Sequence, residues 1–127
     1  MISNKPLSYI EISKKNLVYN IKQFRAVLGK KTKISAVVKA NAYGHGVDGV
    51  APFIEPYVDY LGVAILEEGI HLRELGITKP ILVAGGTLPE QVALFAEYDL
   101  TLTGSSVDLL EVAEEVSCST GKRIKTH

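Results

Sequence analysis

A parallel α/β fold, the first half of a (β/α)8 barrel, is what this 127-residue sequence predicts. Three observations carry the prediction. Apolar runs that read as buried strands recur at 34–38, 60–65, 80–84 and 99–102, and a fifth begins near Arg123. Between them lie segments with helical capping signals, the alternation of βαβ units. The runs are apolar almost throughout, as strands covered on both faces are.

In chain order, YIEI at 9–12 reads as a separate short strand. Ser13 is placed to cap a helix whose apolar stripe is Leu17, Ile21, Phe24 and Leu28. ISAVV at 34–38 is the first buried strand, and Asp48 or Gly49 opens a short helix that ends before Pro56. YLGVAI is followed by LEEGIHLRELG, a helix for which Gly76 supplies the stop. After PILVA, Thr87 and Glu90 form a capping box ahead of QVALFAEY. After DLTL, Ser105 and Asp108 do the same for VDLLEVAEEV, a helix expected to fray before Gly121. These make four βα units and the start of a fifth strand. A complete barrel takes about 250 residues, so the chain reads as truncated. A complete doubly wound sheet of five strands is the alternative that the length permits.

Composition narrows the functional classes. Hydrophobic residues make up 46% and charged ones 22%, an ordinary core-forming balance. Fourteen basic residues offset 14 acidic ones, and no basic stripe interleaves with aromatics, which argues against nucleic acid as a partner. No apolar run approaches the roughly 18 residues of a membrane span, and the first residues lack the apolar stretch of a secretory signal. The cytoplasm is the default compartment. A single cysteine, Cys118, excludes an internal disulfide. His45, His71 and His127 lie in different segments without ligand spacing, so no metal site is expected.

The chemistry concentrates in ISAVVKANAYGHGVDG at 34–49. Strand alternation puts Ser35, Val37 and Lys39 on one face and Ile34, Ala36 and Val38 on the other. In a barrel the first set faces the lumen, with Lys39 at the carboxyl end, where catalytic groups of such folds sit. An amine desolvated there loses its proton more readily and attacks an aldehyde to form a Schiff base. The competing reading is a lysine that marks where a buried strand meets water. Asn41, Gly44 and Gly46 suit a turn with positive φ and close approach to a ligand. The Tyr43 phenol can hydrogen-bond a phosphate, and His45 is a loop residue that supports the turn or faces solvent. Gly44, Gly46 and Gly49 also spell G-x-G-x-x-G, with Glu67 and Glu68 about twenty residues on. That dinucleotide fingerprint wants its first glycine in the tight turn ending the strand, whereas Gly44 comes five residues after Lys39. The nucleotide reading therefore ranks below the Schiff-base one.

AVVKANAYGHG at 36–46 resembles the pyridoxal 5′-phosphate (PLP) attachment motif of alanine racemases. Glu11 and Ile12 resemble the segment before the family's first helix. GVAILEEGIHLRELGITKPILVAGG at 62–86 and DLTLTGSSVDLLEVAEE at 99–115 are similar to its following units, so the likeness covers nearly the whole chain. The resemblance implies a PLP-bearing barrel followed by a carboxyl-terminal β domain, in a cytoplasmic homodimer with shared active sites. On that basis 1–12 is an amino-terminal strand or extension and 13–127 a partial barrel, with the rest of the barrel and the β domain absent. By position, Lys39 would hold the cofactor and act as one of two catalytic bases, Tyr43 would contact its phosphate, and Val37 would lie beside its ring. Gly85 and Gly86 would line the pocket. The implied activity is an isomerase that interconverts L- and D-alanine for peptidoglycan supply. Serine or broad-specificity racemases and non-catalytic PLP-binding barrels are the alternatives. The opposing base of the family, a tyrosine from the partner's β domain, has no counterpart here. The expectation is therefore that these 127 residues alone do not racemise alanine. Measurable L-to-D conversion by the purified chain would overturn it.

Overall fold

The structure is a computed structural model that describes residues 8–127. Residues 8–13 have no regular secondary structure, so no strand forms at 9–12, where Tyr9 and Ile10 are exposed; the rest of the expected amino-terminal extension lies outside the described residues. Ser13 caps α1 (Lys14–Leu28), its side chain accepting from the Asn16 N–H. Leu17 and Ile21 pack on the core, but Phe24 and Leu28 are exposed. Only the first half of the expected stripe is therefore half-buried, and no residue of α1 is fully buried.

Five short strands follow: β1 (Ser35–Val37), β2 (Tyr60–Val63), β3 (Ile81–Val83), β4 (Thr101–Leu102) and β5 (Lys125–Thr126). They form one sheet in the order β1-β2-β3-β4-β5, every pair parallel. A doubly wound sheet reverses its strand order at a switch point. This one never does, and that decides between the two architectures in favour of the barrel-like progression.

Lys39–Tyr43 is a single left-handed helical turn, α2, described below. After α1, the right-handed helices are α3 (Val47–Ile54), α4 (Leu66–Glu74), α5 (Val92–Glu97) and α6 (Val107–Thr120). The helix after β1 starts at Val47, one residue before the earliest predicted start, and passes into a 3-10 turn, Glu55–Tyr57, that contains Pro56. Gly76 follows α4 with φ +84°, as its stop position requires.

Two helix starts differ from expectation. The Thr87 hydroxyl is buried without a hydrogen-bond partner and caps nothing. Instead Gln91 Oε1 accepts from the Leu88 N–H at 3.0 Å, opening a 3-10 turn, Pro89–Gln91, that leads into α5. Ser106, not Ser105, caps α6, accepting from the Leu109 N–H at 3.2 Å. That helix holds to Thr120 and stops at Gly121 in the left-handed conformation.

The core lies between the sheet and the helices. Leu61, Val63, Ile81, Val83 and Leu102 point outward from the strands and are almost wholly buried, with Leu72, Val92, Phe95 and Leu100 around them. Each such side chain stabilises by about 1.5–3 kcal/mol relative to an exposed one. Ser35, Val37, Tyr60, Gly62 and Leu82 alternate with these onto the concave face. Among the described residues no helix is long and apolar enough to cross a membrane.

Candidate active site at the carboxyl ends of β1 to β3

The β1–β2 ladder ends with the Val38 N–H donating to the Gly62 carbonyl at 2.8 Å. The chain then turns left-handed: Ala40 (φ 50°, ψ 53°), Asn41 (56°, 45°) and Ala42 (53°, 49°) are followed by Tyr43 with φ 53° and Gly44 with φ 81°. The conformation costs an L-residue about 1–2 kcal/mol, and four consecutive non-glycine residues adopt it here. Asn41, Gly44 and Gly46 were legible as positive-φ positions; Ala40, Ala42 and Tyr43 were not.

Local hydrogen bonds offset this strain. The N–H groups of Ala42, Gly44 and Gly46 donate to the carbonyls of Val38, Ala40 and Asn41 at 2.9–3.0 Å. The Asn41 side chain accepts from the Val47 N–H at 2.8 Å, at the first residue of α3. His45 is exposed, yet its Nδ1 donates to the Ala42 carbonyl at 2.8 Å, so it supports the turn. Buried Ala42 anchors the turn in the core.

This turn presents Lys39 and Tyr43 to an open cleft of about 410 Å³ at the carboxyl ends of β1, β2 and β3, where both side chains are exposed and the expected desolvation of the amine is absent. Val37 and Gly85 line the same cavity, with Gly62 and Ala84. All three residues singled out as cofactor contacts are thus neighbours. Gly86, by contrast, does not line the cavity.

Two glycines at its edge leave no room for a side chain. A Cβ on Gly85 would lie 2.2 Å from the Ala64 carbonyl oxygen, a backbone collision that no side-chain movement relieves. A Cβ on Gly62 would come within 3.3 Å of Val37 Cγ2 and crowd the cavity floor. An amine, a phenol, an apolar wall and a backbone-tight edge together suit a flat aromatic aldehyde bearing a phosphate. The donor set therefore fits PLP.

Sequence reasoning treated Glu68 only as part of the dinucleotide decoy. Its carboxylate accepts from the N–H groups of Ala40 at 2.6 Å and Ala64 at 2.8 Å, joining the ends of β1 and β2. The local signal was an acidic residue in the first turn of α4; its cross-strand partner was not readable. Gly49 stands inside α3, so the G-x-G-x-x-G glycines bridge a left-handed turn and the middle of a helix. That is not the strand-turn-helix context of the dinucleotide fingerprint. Nearby, His71 Nε2 pairs with Asp48 Oδ1 at 2.7 Å and ties α4 to α3.

Residues 12–127 match the family profile "Alanine racemase, N-terminal domain". Alanine racemase 1 of Caldanaerobacter subterraneus subsp. tengcongensis is 40% identical over 119 residues, which cover 93% of this chain and 31% of that protein. Alanine racemase 1 of Bacillus subtilis is 42% identical over 116 residues, 88% of this chain and 30% of that one. Among solved structures, alanine racemase of Clostridium difficile 630 superposes with a TM-score of 0.85 at 38% identity, over 89% of this chain and 30% of that chain. A histidine racemase from Leuconostoc mesenteroides subsp. sake superposes with a TM-score of 0.81 at 34% identity, covering 89% of this chain and 30% of that one. The chain thus spans about a third of the length of the relatives it matches. Through residues 12–127, this chain belongs to the alanine racemase amino-terminal domain family.

Proposed function

We propose that this chain carries the cofactor-lysine part of a PLP-dependent amino-acid racemase that acts on alanine. The observation that carries the reading is the convergence of Lys39, Tyr43 and Val37 on one cavity. In this reading Lys39 holds the cofactor through its amine, Tyr43 donates its phenol to the phosphate, and Val37 packs against one face of the ring. When bound, PLP supplies an electron sink for the charge left at the substrate Cα. With cofactor and substrate bound, the Lys39 amine would accept or return the Cα proton on its own side. Inversion needs a second group on the opposite side. By family resemblance that group is a tyrosine of the partner subunit in a homodimer. The product, D-alanine, would serve peptidoglycan precursors in the cytoplasm.

A second substrate has specific support. The likeness to a histidine racemase is nearly as good as that to the alanine enzymes, so the residues present here fit amino-acid racemisation more broadly than alanine alone.

The test is to incubate the protein with PLP, reduce with borohydride and map the modified lysine by mass spectrometry. A single adduct at Lys39, absent from Lys39→Ala, is the expected result. Scattered labelling of exposed lysines, unchanged in Lys39→Ala, would sink the assignment. Deuterium incorporation at Cα of L-alanine by the complete reading frame then separates a racemase from a protein that only binds PLP. Parallel assays with alanine, serine and histidine rank the substrates.

A further inference from the structure

Glu68 reaches a backbone group 28 residues before it in the chain. Its Oε2 accepts from the N–H groups of Ala64 at 2.8 Å and Ile65 at 3.4 Å, the reach-back that an acidic residue in a first turn makes for its own helix. Its Oε1 does something else, accepting from the Ala40 N–H at 2.6 Å. Ala40 follows Lys39 directly and is the first left-handed residue of the turn. The β1–β2 ladder is spent at Val38, whose N–H takes the Gly62 carbonyl. The Ala40 N–H has left the ladder, and Glu68 supplies its acceptor.

Lys39 is consequently held on both sides through the backbone, at Val38 by the ladder and at Ala40 by the carboxylate. The far end of the turn is closed by Asn41. A charge-assisted bond of this kind contributes more than a neutral one, at the residue where the unfavourable conformation begins.

We propose that Glu68 is the positioning residue for Lys39, setting the left-handed turn so that the amine faces the cavity. The inference rests on reading Lys39 as the cofactor lysine. Glu68 acts through Ala40 and touches neither cofactor nor substrate. The competing account is an ordinary helix cap, which predicts effects on α4 alone.

Two substitutions separate the accounts. Glu68→Asp keeps an acidic cap for α4 but is one methylene too short to reach Ala40 and Ala64 together. Glu68→Gln keeps the length but turns one oxygen into a donor, which must face an N–H. Two readouts apply: amide hydrogen exchange at Ala40 by NMR, and the rate of borohydride-trapped PLP labelling at Lys39.

In Glu68→Asp, Ala40 exchange should rise about ten-fold or more, the loss of one charge-assisted bond, and Lys39 labelling should slow comparably. In Glu68→Gln, whose single acceptor serves either Ala40 or Ala64, exchange should rise at one of the two and labelling should slow. In Glu68→Asp the amides of α4 should stay protected. Glu67→Gln, next to it, should change neither readout. Wild-type protection at Ala40 with wild-type labelling in both variants would overturn the proposal, as would a labelling loss that follows unfolding of α4. If the wild type labels elsewhere, the reading of Lys39 fails and takes the positioning role with it; Ala40 exchange would still report whether the clamp itself exists.

Discussion

The two ends of the sheet are built differently. At the carboxyl end, four consecutive non-glycine residues sit at positive φ beside an open cavity. At the amino end, among the described residues, Asp99 alone departs in this way, and ionic groups stitch the loops. Arg73 is the main stitch. Its guanidinium donates to the carbonyls of Ile77 and Lys79 at 2.8 Å, Tyr98 at 3.0 Å and Asp99 at 2.8 Å. Glu55 Oε1 accepts from the N–H groups of Thr78 at 2.7 Å and Lys79 at 2.9 Å. Asp59 pairs with Arg25 and accepts from the Ile34 N–H at 2.8 Å. One end holds strain where the proposed cofactor site lies, and the other satisfies its polar groups and supplies stability. This is the division of labour of barrel folds.

The largest effect should come from the amino end. Arg73→Ala strips the donor from four carbonyls at a mostly buried position, and about 3 kcal/mol of stability should go with it. Urea unfolding measures the loss. Under conditions where the variant remains folded, Lys39 labelling should be unchanged; selective loss of labelling would break the contrast between the ends.

At the carboxyl end, Asn41→Val places a β-branched side chain at φ 56° and removes the acceptor of the Val47 N–H. A loss of about 2 kcal/mol is expected, together with Lys39 labelling reduced beyond what the unfolded fraction explains. A smaller change runs the other way. Ala40→Gly relieves φ 50° but adds freedom to the unfolded chain, so it should stabilise by at most about 1 kcal/mol. Destabilisation would mean that the turn carries little strain.

The smallest effect is in the pH profile. For Glu55, burial raises the carboxyl pKa, but the N–H groups of Lys79 and Thr78 outweigh it and hold the group below its usual value. The hydrogen bond from Arg25, with the Ile34 N–H, lowers that of Asp59. A lowered folded pKa means that the unfolded chain binds more protons. The stabilisation is complete above the unfolded carboxylate values, about 4. It is lost as pH falls through the folded ones. Urea midpoints should therefore drop between pH 5 and 3, with a shallower slope in Asp59→Asn.

Much of this was legible in the sequence, for definable reasons. The strands announced themselves because outward positions such as Leu61, Val63, Ile81 and Val83 carry the core. Ser13 stood alone before its helix, so its cap was readable, whereas Ser105 and Ser106 are adjacent and local rules do not choose between them. Thr87 matched a capping box, yet its hydroxyl is turned inward and the backbone enters through Pro89. At the site, residue type and strand alternation placed Lys39, and glycine and asparagine marked part of the turn. Ala40 and Ala42 gave no sign, since alanine's own preference is the right-handed helix. Their conformation is imposed by Glu68, Asn41 and the core around Ala42, partners that only the folded chain brings close. Phe24 and Leu28 fit the helical stripe, but the half of α1 that carries them finds no core to enter.

The unbroken strand order has a consequence for how the protein is made. Each strand pairs with the one completed just before it, from β1 through β5. A chain leaving the ribosome can therefore pair each of β2 to β5 with a strand already made. Sequence separations between paired strands stay near one βα unit, which limits the loop-closure cost of each new pairing. Assembly can keep step with translation, and the Lys39 turn would be docked by Glu68 as soon as the second unit emerges.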